Sequence, residues 1–199
     1  MRKYLLPVVL TTSFISGCGV LSPVPAPEVK QFQIVSAVPS VDSCKPNSQS
    51  TIIQVSPVKV YAPFDTRNMY YSESQYQLNS YSLNQWATNP GQMITQAIQE
   101  KLQASCNYSS VVNADFMITA KYRITTEAMD FKQTINGGSS AVNLSVVAHL
   151  IDNSSNRVIK GKTFEETSAV SPNIDGYIKG ANDVTQSFVN DLATWLSTN

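Results

Sequence analysis

The stretch Val142-Asn143-Leu144-Ser145-Val146-Val147-Ala148-His149-Leu150 decides the fold of this chain. Its even-numbered residues are all apolar and its odd-numbered residues are mostly polar, and this period of two predicts a β-strand with one buried face. Asn136-Gly137-Gly138 supplies a turn before the strand, and residues 152–156 supply a second turn after it. A central strand between two turns predicts a three-stranded antiparallel meander.

The other strands are predicted from the same kind of pattern. Apolar and polar residues alternate over residues 116–125, and residues 157–167 follow the second turn, so these segments are the outer strands of the meander. Residues 31–38 and 51–60 also have strand character, and Pro57 marks an edge or a bulge in the second of them. Residues 61–81 predict a hairpin with its turn near residues 72–74. The first meander strand is predicted to bury Phe116, Ile118, Ala120, Tyr122 and Ile124.

Two helices complete the predicted fold. Asn89-Pro90-Gly91-Gln92 is typical of a helix start, with Asn as the N-cap and Pro at the first helical position, and this helix should end near Cys106-Asn107. Because each helix has one apolar face, we expect an α+β two-layer sandwich, with an antiparallel or mixed sheet and two helices packed on one face. The second helix is predicted from an apolar stripe: Ile178, Ala181, Val184, Phe188, Leu192, Trp195 and Leu196.

The N-terminus resembles a bacterial lipoprotein signal peptide. Two basic residues precede a short apolar run, and Ile15-Ser16-Gly17-Cys18 resembles a lipobox. This predicts a signal peptide over residues 1–17, an acylated Cys18 that carries palmitate-type chains, a proline-rich tether over residues 18–30 and a single periplasmic domain over residues 31–199. Gly19 in place of Asp favours the outer membrane over the inner one. The alternatives are an ordinary cysteine behind an export signal and a buried helix.

The remaining cysteines and the charges narrow the class of protein. Cys44 and Cys106 are the pair available for an intramolecular disulfide in an oxidising compartment, and the alternative is two separate buried thiols. The chain has 14 basic and 14 acidic residues, so it lacks the excess of basic residues typical of nucleic-acid-binding proteins. We therefore expect a weakly charged surface that meets other proteins.

The sequence offers no catalytic or metal-binding set. His149 is the single histidine of the chain and has no companion ligand at metal-binding spacing. Glu165 and Glu166 are neighbours on a predicted strand, so they point to opposite faces and do not form a carboxylate pair. Gly137-Gly138 leads into a strand and not into a helix N-terminus, which does not suit a phosphate-binding loop. We therefore expect neither enzymatic activity nor a cofactor or metal.

Tyrosines are concentrated in one part of the chain. Five of the nine tyrosines lie between Tyr61 and Tyr81. Tyr70, Tyr71, Tyr76 and Tyr81 either fill ordinary strand positions or form a docking surface, since aromatic residues are enriched at protein interfaces. Both interpretations stay open from the sequence.

From residue 51 onward the chain resembles the ABC-type transport auxiliary lipoprotein family. The match is one of pattern and covers most of the mature chain. The resemblance rests on four segments of the sequence. They are residues 55–60 (VSPVKV) before Phe64-Asp65, then Gln85-Trp86-Ala87, Leu150-Ile151-Asp152, and residues 192–196 (LATWL) in the last helix.

The resemblance implies an auxiliary component of an MCE-type phospholipid transporter. Its partners would be an MCE-domain protein and the ABC transporter, with the lipid anchor holding the outer-membrane end. Docking, together with ring-like self-association, would be its mechanism. The alternative is a lipoprotein regulator of a cell-wall synthase or an assembly factor such as the lipopolysaccharide-translocon lipoprotein.

Overall fold

A computed structural model describes residues 26–35 and 51–198 of the chain. These residues form one mixed sheet with two helices, so the predicted α+β fold class is confirmed. The elements, in chain order, are β1 (Lys30–Phe32), β2 (Ile52–Val55), β3 (Lys59–Val60), β4 (Asn68–Ser74), β5 (Gln77–Trp86), α1 (Pro90–Ala104), β6 (Ser110–Asn113), β7 (Tyr122–Asn136), β8 (Ser139–Asp152), β9 (Arg157–Val170) and α2 (Ile174–Ser197).

Two long strands, β7 and β8, form the middle of the sheet. They pair antiparallel from Tyr122 opposite Asp152 to Asn136 opposite Ser139, and Gly137 turns the chain between them with a φ of 59°. On its other side β8 pairs antiparallel with β9. The predicted meander is therefore confirmed.

The first strand of the meander begins later than predicted. β7 starts at Tyr122, whereas Phe116 and Ile118 lie in an exposed connection and are not buried. β6 and β7 both run parallel to β2 and lie on opposite sides of it, so residues 114–121 must pass across β2. The alternation that predicted a strand here belongs to an extended crossover, which pairs with none of the described strands.

Three short strands share the remaining edge of β7. β2, β3 and β4 pair with it in parallel, one after another along its length. Pro57 separates β2 from β3, because a residue without an N–H group cannot continue the ladder. The single strand predicted over residues 51–60 is thus two strands. β6 extends the sheet beyond β2, and β5 and then β1 extend it beyond β4.

Helix α1 begins as the sequence predicts, and both helices have an asparagine N-cap. The Asn89 side chain accepts a hydrogen bond of 2.9 Å from the Gly91 N–H group at the start of α1. Asn173 caps α2 in the same way, through a hydrogen bond of 2.8 Å from the Gly176 N–H group. At the other end of α1 the left-handed residue is Cys106, with a φ of 56°, and not the expected Asn107.

The core lies between one face of the sheet and the two helices. The even-numbered residues of β8 from Val142 to Leu150 are buried there with the apolar stripe of α2. At Gly180 an added Cβ would lie 2.5 Å from the Cγ2 of Val142, so α2 approaches β8 very closely. The odd-numbered residues of β8 face the other way, on what is here termed the open face.

The sheet has two distinct ends. The entry end holds the β7–β8 turn, and the far end holds the β8–β9 turn and the start of β7. β1 runs antiparallel to β7, because it is parallel to β5 and β5 is antiparallel to β4. The chain before Lys30 therefore comes from the direction of the entry end.

Candidate docking surfaces

The structure divides the four predicted interface tyrosines among three places. Tyr71 and Tyr81 lie together, with ring centroids 4.7 Å apart. Tyr70 instead packs edge-on against Phe64 at 5.7 Å. Tyr76 lies at the β4–β5 turn and is 93% exposed. These side chains do not form one continuous patch, so their interface role stays a prediction, for which Tyr76 is the most accessible member.

Tyr81 is fixed in place by a buried polar network. Its hydroxyl donates a hydrogen bond of 2.7 Å to Oε1 of Gln133, a residue with 0% exposure. The Nε2 group of Gln133 donates to Oγ of Ser140 at 2.8 Å and to the Ser171 carbonyl at 3.0 Å. Burial, above all, raises the pKa of the Tyr81 phenol. The network joins the β4–β5 hairpin to the segment that leads into α2, which is a structural role.

A second tyrosine of the same region is part of the core. Tyr177 is fully buried, and its ring centroid lies 5.6 Å from that of Trp86. The Tyr177 hydroxyl donates to the Phe131 carbonyl at 3.3 Å and accepts from the Tyr70 N–H group. Burial raises the pKa of this phenol far above its ordinary value. Tyr177 therefore joins α2 to β4 and β7 as a neutral group.

The cysteines are largely outside what the structure describes. Cys18 and Cys44 fall in the segments 1–25 and 36–50, so the acylation of Cys18 stays a prediction. Cys106 follows the last turn of α1 and is half-buried. Its pairing with Cys44 also stays a prediction. Within residues 26–35 and 51–198, no helix has the length and apolar character needed to span a bilayer.

The described residues contain no cluster of three or more His, Cys, Asp or Glu side chains that could hold a metal ion. His149 lies on the open face, where an added Cβ on Gly161 would lie 2.9 Å from the imidazole Cδ2 atom. Its ring therefore covers the backbone of a neighbouring strand. Glu165 accepts a hydrogen bond of 2.7 Å from Ser145 on the open face. Glu166 points to the helix side, where partial burial and then Asp191 raise its pKa.

The open face is polar and cross-linked from strand to strand. Asn143 donates to Thr134 on β7 at 3.0 Å and accepts from Thr167 on β9 at 3.1 Å. Nearby, Asp130 and Lys132 form an ion pair on β7. The hydrogen bonds of Asn143 thus link β7, β8 and β9 across this part of the open face.

A shallow depression lies at the entry end, beside the start of α2. Its walls come from the β9–α2 connection and the first turns of the helix, with Asp175 and Lys179 as the charged residues. It is wide open to solvent, and its two charges are of opposite sign. The depression has neither the enclosure nor the convergent polar groups typical of a small-molecule site.

The far end carries an apolar surface that sequence reasoning missed. Phe116, Met117 and Ile118 are three consecutive exposed residues of the β6–β7 crossover, and Met117 is fully exposed. Val158 and Ile159 are also about half exposed at the start of β9. These two residues lie on the other side of β7 and β8 from the crossover. Residues 116–118 alone are called the far-end apolar surface here. The turn-forming residues 113–115 just before Phe116 are the signal that could have separated this loop from a strand.

Hydrogen bonds hold the crossover beside the β8–β9 turn. The Asn153 N–H group donates to the Lys121 carbonyl at 3.0 Å, and the Asn153 side-chain amide donates to the Ala120 carbonyl at 3.0 Å. In the same turn Ser154 and Ser155 donate to the Asp152 carboxylate, and these hydrogen bonds lower its pKa. The C-terminal end of the crossover is thus held against the β8–β9 turn.

Comparison with known protein families shows to which family this chain belongs. The family model for the ABC-type transport auxiliary lipoprotein component matches residues 32–193, which include both helices and nearly the whole sheet. This chain belongs to the ABC-type transport auxiliary lipoprotein family. The family is one of transport auxiliaries and not of enzymes. The resemblance inferred from the sequence is therefore confirmed.

Solved structures show the same fold at low sequence identity. A Xanthomonas campestris protein assigned to the DUF330 family superposes with a TM-score of 0.74 at 16% identity, covering 84% of this auxiliary lipoprotein and 94% of that chain. A second, uncharacterised protein superposes with a TM-score of 0.67 at 15% identity, covering 85% and 99% of the two chains. A search of curated proteins gave no match. At these identities the structural similarity describes the fold alone.

Proposed function

We propose that this auxiliary lipoprotein is anchored in the outer membrane by an acylated Cys18 and serves an MCE-type ABC system that moves phospholipid between membranes. The observation that carries the proposal is the family match over residues 32–193, joined to a lipobox-like sequence at residues 15–18. Two or three acyl chains would hold the protein firmly at the membrane. Its work would be to dock an MCE-domain protein and the transporter.

The chemistry of the described domain supports docking over catalysis. Two of its buried hydroxyls, on Tyr177 and Thr185, donate to backbone carbonyls, and the buried Ser140 hydroxyl accepts from Gln133. Gln133 is likewise occupied by its hydrogen bonds. What remains available to a partner is exposed surface, which includes Tyr76 at the entry end and the far-end apolar surface.

Affinity capture in detergent tests the proposal. An affinity tag inserted between Gly137 and Gly138 would lie in open space, because an added Cβ on either glycine meets no atom within 4 Å. Capture of the lipidated protein from envelopes should recover an MCE-domain protein and the ABC permease. Recovery of a penicillin-binding protein, or of the lipopolysaccharide translocon, without MCE protein would favour the alternative class of cell-envelope regulator.

A Cys18→Ser variant with the same tag is the matched control. It changes the residue expected to carry the acyl chains and leaves residues 26–198 unaltered. We expect it to leave the outer-membrane fraction while still capturing the MCE-domain protein from detergent extracts. This outcome would separate the anchor from the docking domain.

A further inference from the structure

We propose that Met117, at the centre of the far-end apolar surface, is a site of reversible oxidation by hydroperoxides. The product is methionine sulfoxide, in which a polar sulfur–oxygen group replaces the apolar thioether. The inference goes beyond the proposed function and does not depend on it, because the reaction needs only the folded chain and the oxidant.

The four methionines of the described residues differ widely in accessibility. Met117 is fully exposed and Met129 is 47% exposed, whereas Met69 is 0% and Met93 is 6% exposed. An oxidant must reach a lone pair of the thioether sulfur, so oxidation follows the exposure of the side chain. The structure therefore ranks Met117 first, Met129 second and the two buried methionines last.

The surroundings of each sulfur add to this difference. The Met93 sulfur accepts a hydrogen bond of 3.4 Å from the Ile34 N–H group, and Met69 belongs to the core. Met129 lies at the bulge of β7, within the sheet. Met117 lies in the crossover, which pairs with none of the described strands. Its sulfur is therefore open to a small oxidant that comes from solvent.

The reaction is a two-electron oxidation of sulfur. A lone pair of the Met117 sulfur attacks one oxygen of hydrogen peroxide, so that an S–O bond forms and the O–O bond breaks. The departing hydroxide takes the proton of the transferred oxygen and leaves as water. The sulfur is oxidised and the peroxide is reduced. A methionine sulfoxide reductase reverses the step with two thiols, which become a disulfide while the oxygen leaves as water.

Oxidation at this position changes the surface and not the core. The Met117 side chain lies outside the buried core, so its sulfoxide requires no rearrangement of the packing. The same change at Met69 would place a polar group among buried apolar side chains. Between Phe116 and Ile118 the sulfoxide makes the apolar loop polar at its centre. A partner that contacts this loop would therefore bind the oxidised protein more weakly.

Peptide mapping by mass spectrometry tests the ranking. The lipidated protein in peroxide-free detergent would be treated with hydrogen peroxide, quenched at intervals and digested with trypsin. Met117 is the single methionine of peptide 102–121, and Met129 is the single methionine of peptide 124–132. We expect Met117 to be oxidised faster than Met129 and at least about tenfold faster than Met69 and Met93. A rate at Met117 no higher than that at Met129 would overturn the proposal.

Met117→Leu is the matched control. It should remove the fastest oxidation and leave the rates at Met69, Met93 and Met129 unchanged. Circular dichroism and the urea midpoint should stay the same through the fast phase. Unfolding during that phase would mean that peroxide acts on a loosened chain, which contradicts the proposal. Methionine sulfoxide reductases of both stereochemical classes should restore the unoxidised peptide, and a sulfoxide that resists both would contradict reversibility.

Treatment of intact cells with peroxide tests whether the site is open in the cell envelope. After recovery of the protein through its tag, the sulfoxide fraction at Met117 should exceed that at Met129. If Met117 is protected in cells but reactive in the purified protein, another molecule covers the loop and the assigned modification site is wrong.

Discussion

Lys160 on β9 donates a hydrogen bond of 2.8 Å to the main-chain carbonyl of Trp195, and its ammonium group lies 5.0 Å from the centroid of the Trp195 ring. The same ammonium also donates to the carbonyl of Thr198. Because these carbonyls end α2, where helical acceptors lack backbone donors, Lys160 serves as a cap supplied by the sheet.

Replacing that lysine should loosen the end of α2. Lys160→Met keeps much of the aliphatic stem but removes the donor, and we expect a loss of about 1 kcal/mol in the free energy of unfolding. Urea unfolding followed by circular dichroism measures it. Lys162→Met is the control, because Lys162 lies over the Phe164 ring at 4.6 Å and is exposed. Equal losses for both variants would contradict the capping role.

The buried amide of Gln133 should be far less replaceable. Gln133→Leu would leave the hydroxyls of Tyr81 and Ser140 and the carbonyl of Ser171 without this partner, and we expect a loss of about 2–4 kcal/mol. Thermal and urea unfolding measure the change. Gln77→Leu on the exposed part of β5 should stay within about 0.5 kcal/mol of the unsubstituted protein. A similarly small effect at position 133 would show that the network contributes little.

The close approach of α2 to β8 should make Gly180 intolerant of a side chain. Gly180→Ala improves helix propensity by about 1 kcal/mol, yet its methyl group would overlap Val142 and Val170. Because overpacking costs about 1–3 kcal/mol, we expect a net loss of stability. Gly138→Ala, which meets no atom within 4 Å, should be nearly neutral. A stabilised Gly180→Ala variant would mean that the helix can move away.

The ion pair of Lys179 and Asp183 should make stability depend on pH. Lys179 donates a hydrogen bond to the carboxylate and lowers the pKa of Asp183 below its ordinary value. A lowered carboxyl pKa stabilises the fold above the unfolded-state pKa, and that contribution is lost as pH falls through the folded-state value. Asp183→Asn should therefore differ from the unsubstituted protein by less than about 1 kcal/mol near pH 7, and not at all in strong acid.

Urea unfolding at a series of pH values checks this prediction. Asp115→Asn is the control, because no hydrogen bond or ion pair involves the Asp115 carboxylate within the described part of the chain. Added salt should reduce the difference at position 183 near pH 7, since the pair is exposed. A difference that grows in acid would have the wrong sign.

Sorting between the two membranes should depend on Gly19. Because an Asp immediately after the acylated cysteine signals inner-membrane retention in enterobacterial-type sorting, Gly19→Asp should move the protein from the outer to the inner membrane. Separation of the membranes on a sucrose gradient, followed by immunoblotting, measures the distribution. Gly19→Ser should stay in the outer membrane. An unsubstituted protein found in the inner membrane would contradict the proposed location.

The sequence predicts well those parts of the fold that are determined by residues close together along the chain. Asn89-Pro90 begins α1 because the cap and the fixed proline φ act within one turn. The β7–β8 turn at Gly137 and the buried alternation along β8 follow from equally local rules. Each of these features depends on residues within a few positions of one another.

The parts that escape prediction depend on distant partners. The order in which β2, β3 and β4 share the edge of β7 follows from pairings such as Val55 with Ile124, about seventy residues apart in sequence. Phe116 and Ile118 alternate like strand residues, but no strand within residues 26–35 or 51–198 pairs with them. Tyr70 and Tyr71 are neighbours in sequence, but side chains alternate between the two faces of a strand, so Tyr70 packs on Phe64 and Tyr71 on Tyr81.

The outer edge of β9 has a consequence for the association of two copies of this chain. Among the described strands, β9 pairs with β8 and leaves its other edge open along residues 157–170. An open edge of this length is a template for aggregation, but Lys162, Glu165 and Glu166 place charges of both signs along it. Another copy that approached in a slipped register would bring like charges together or leave charges unpaired. The charges of β9 thereby disfavour edge-to-edge pairing of two copies through this strand.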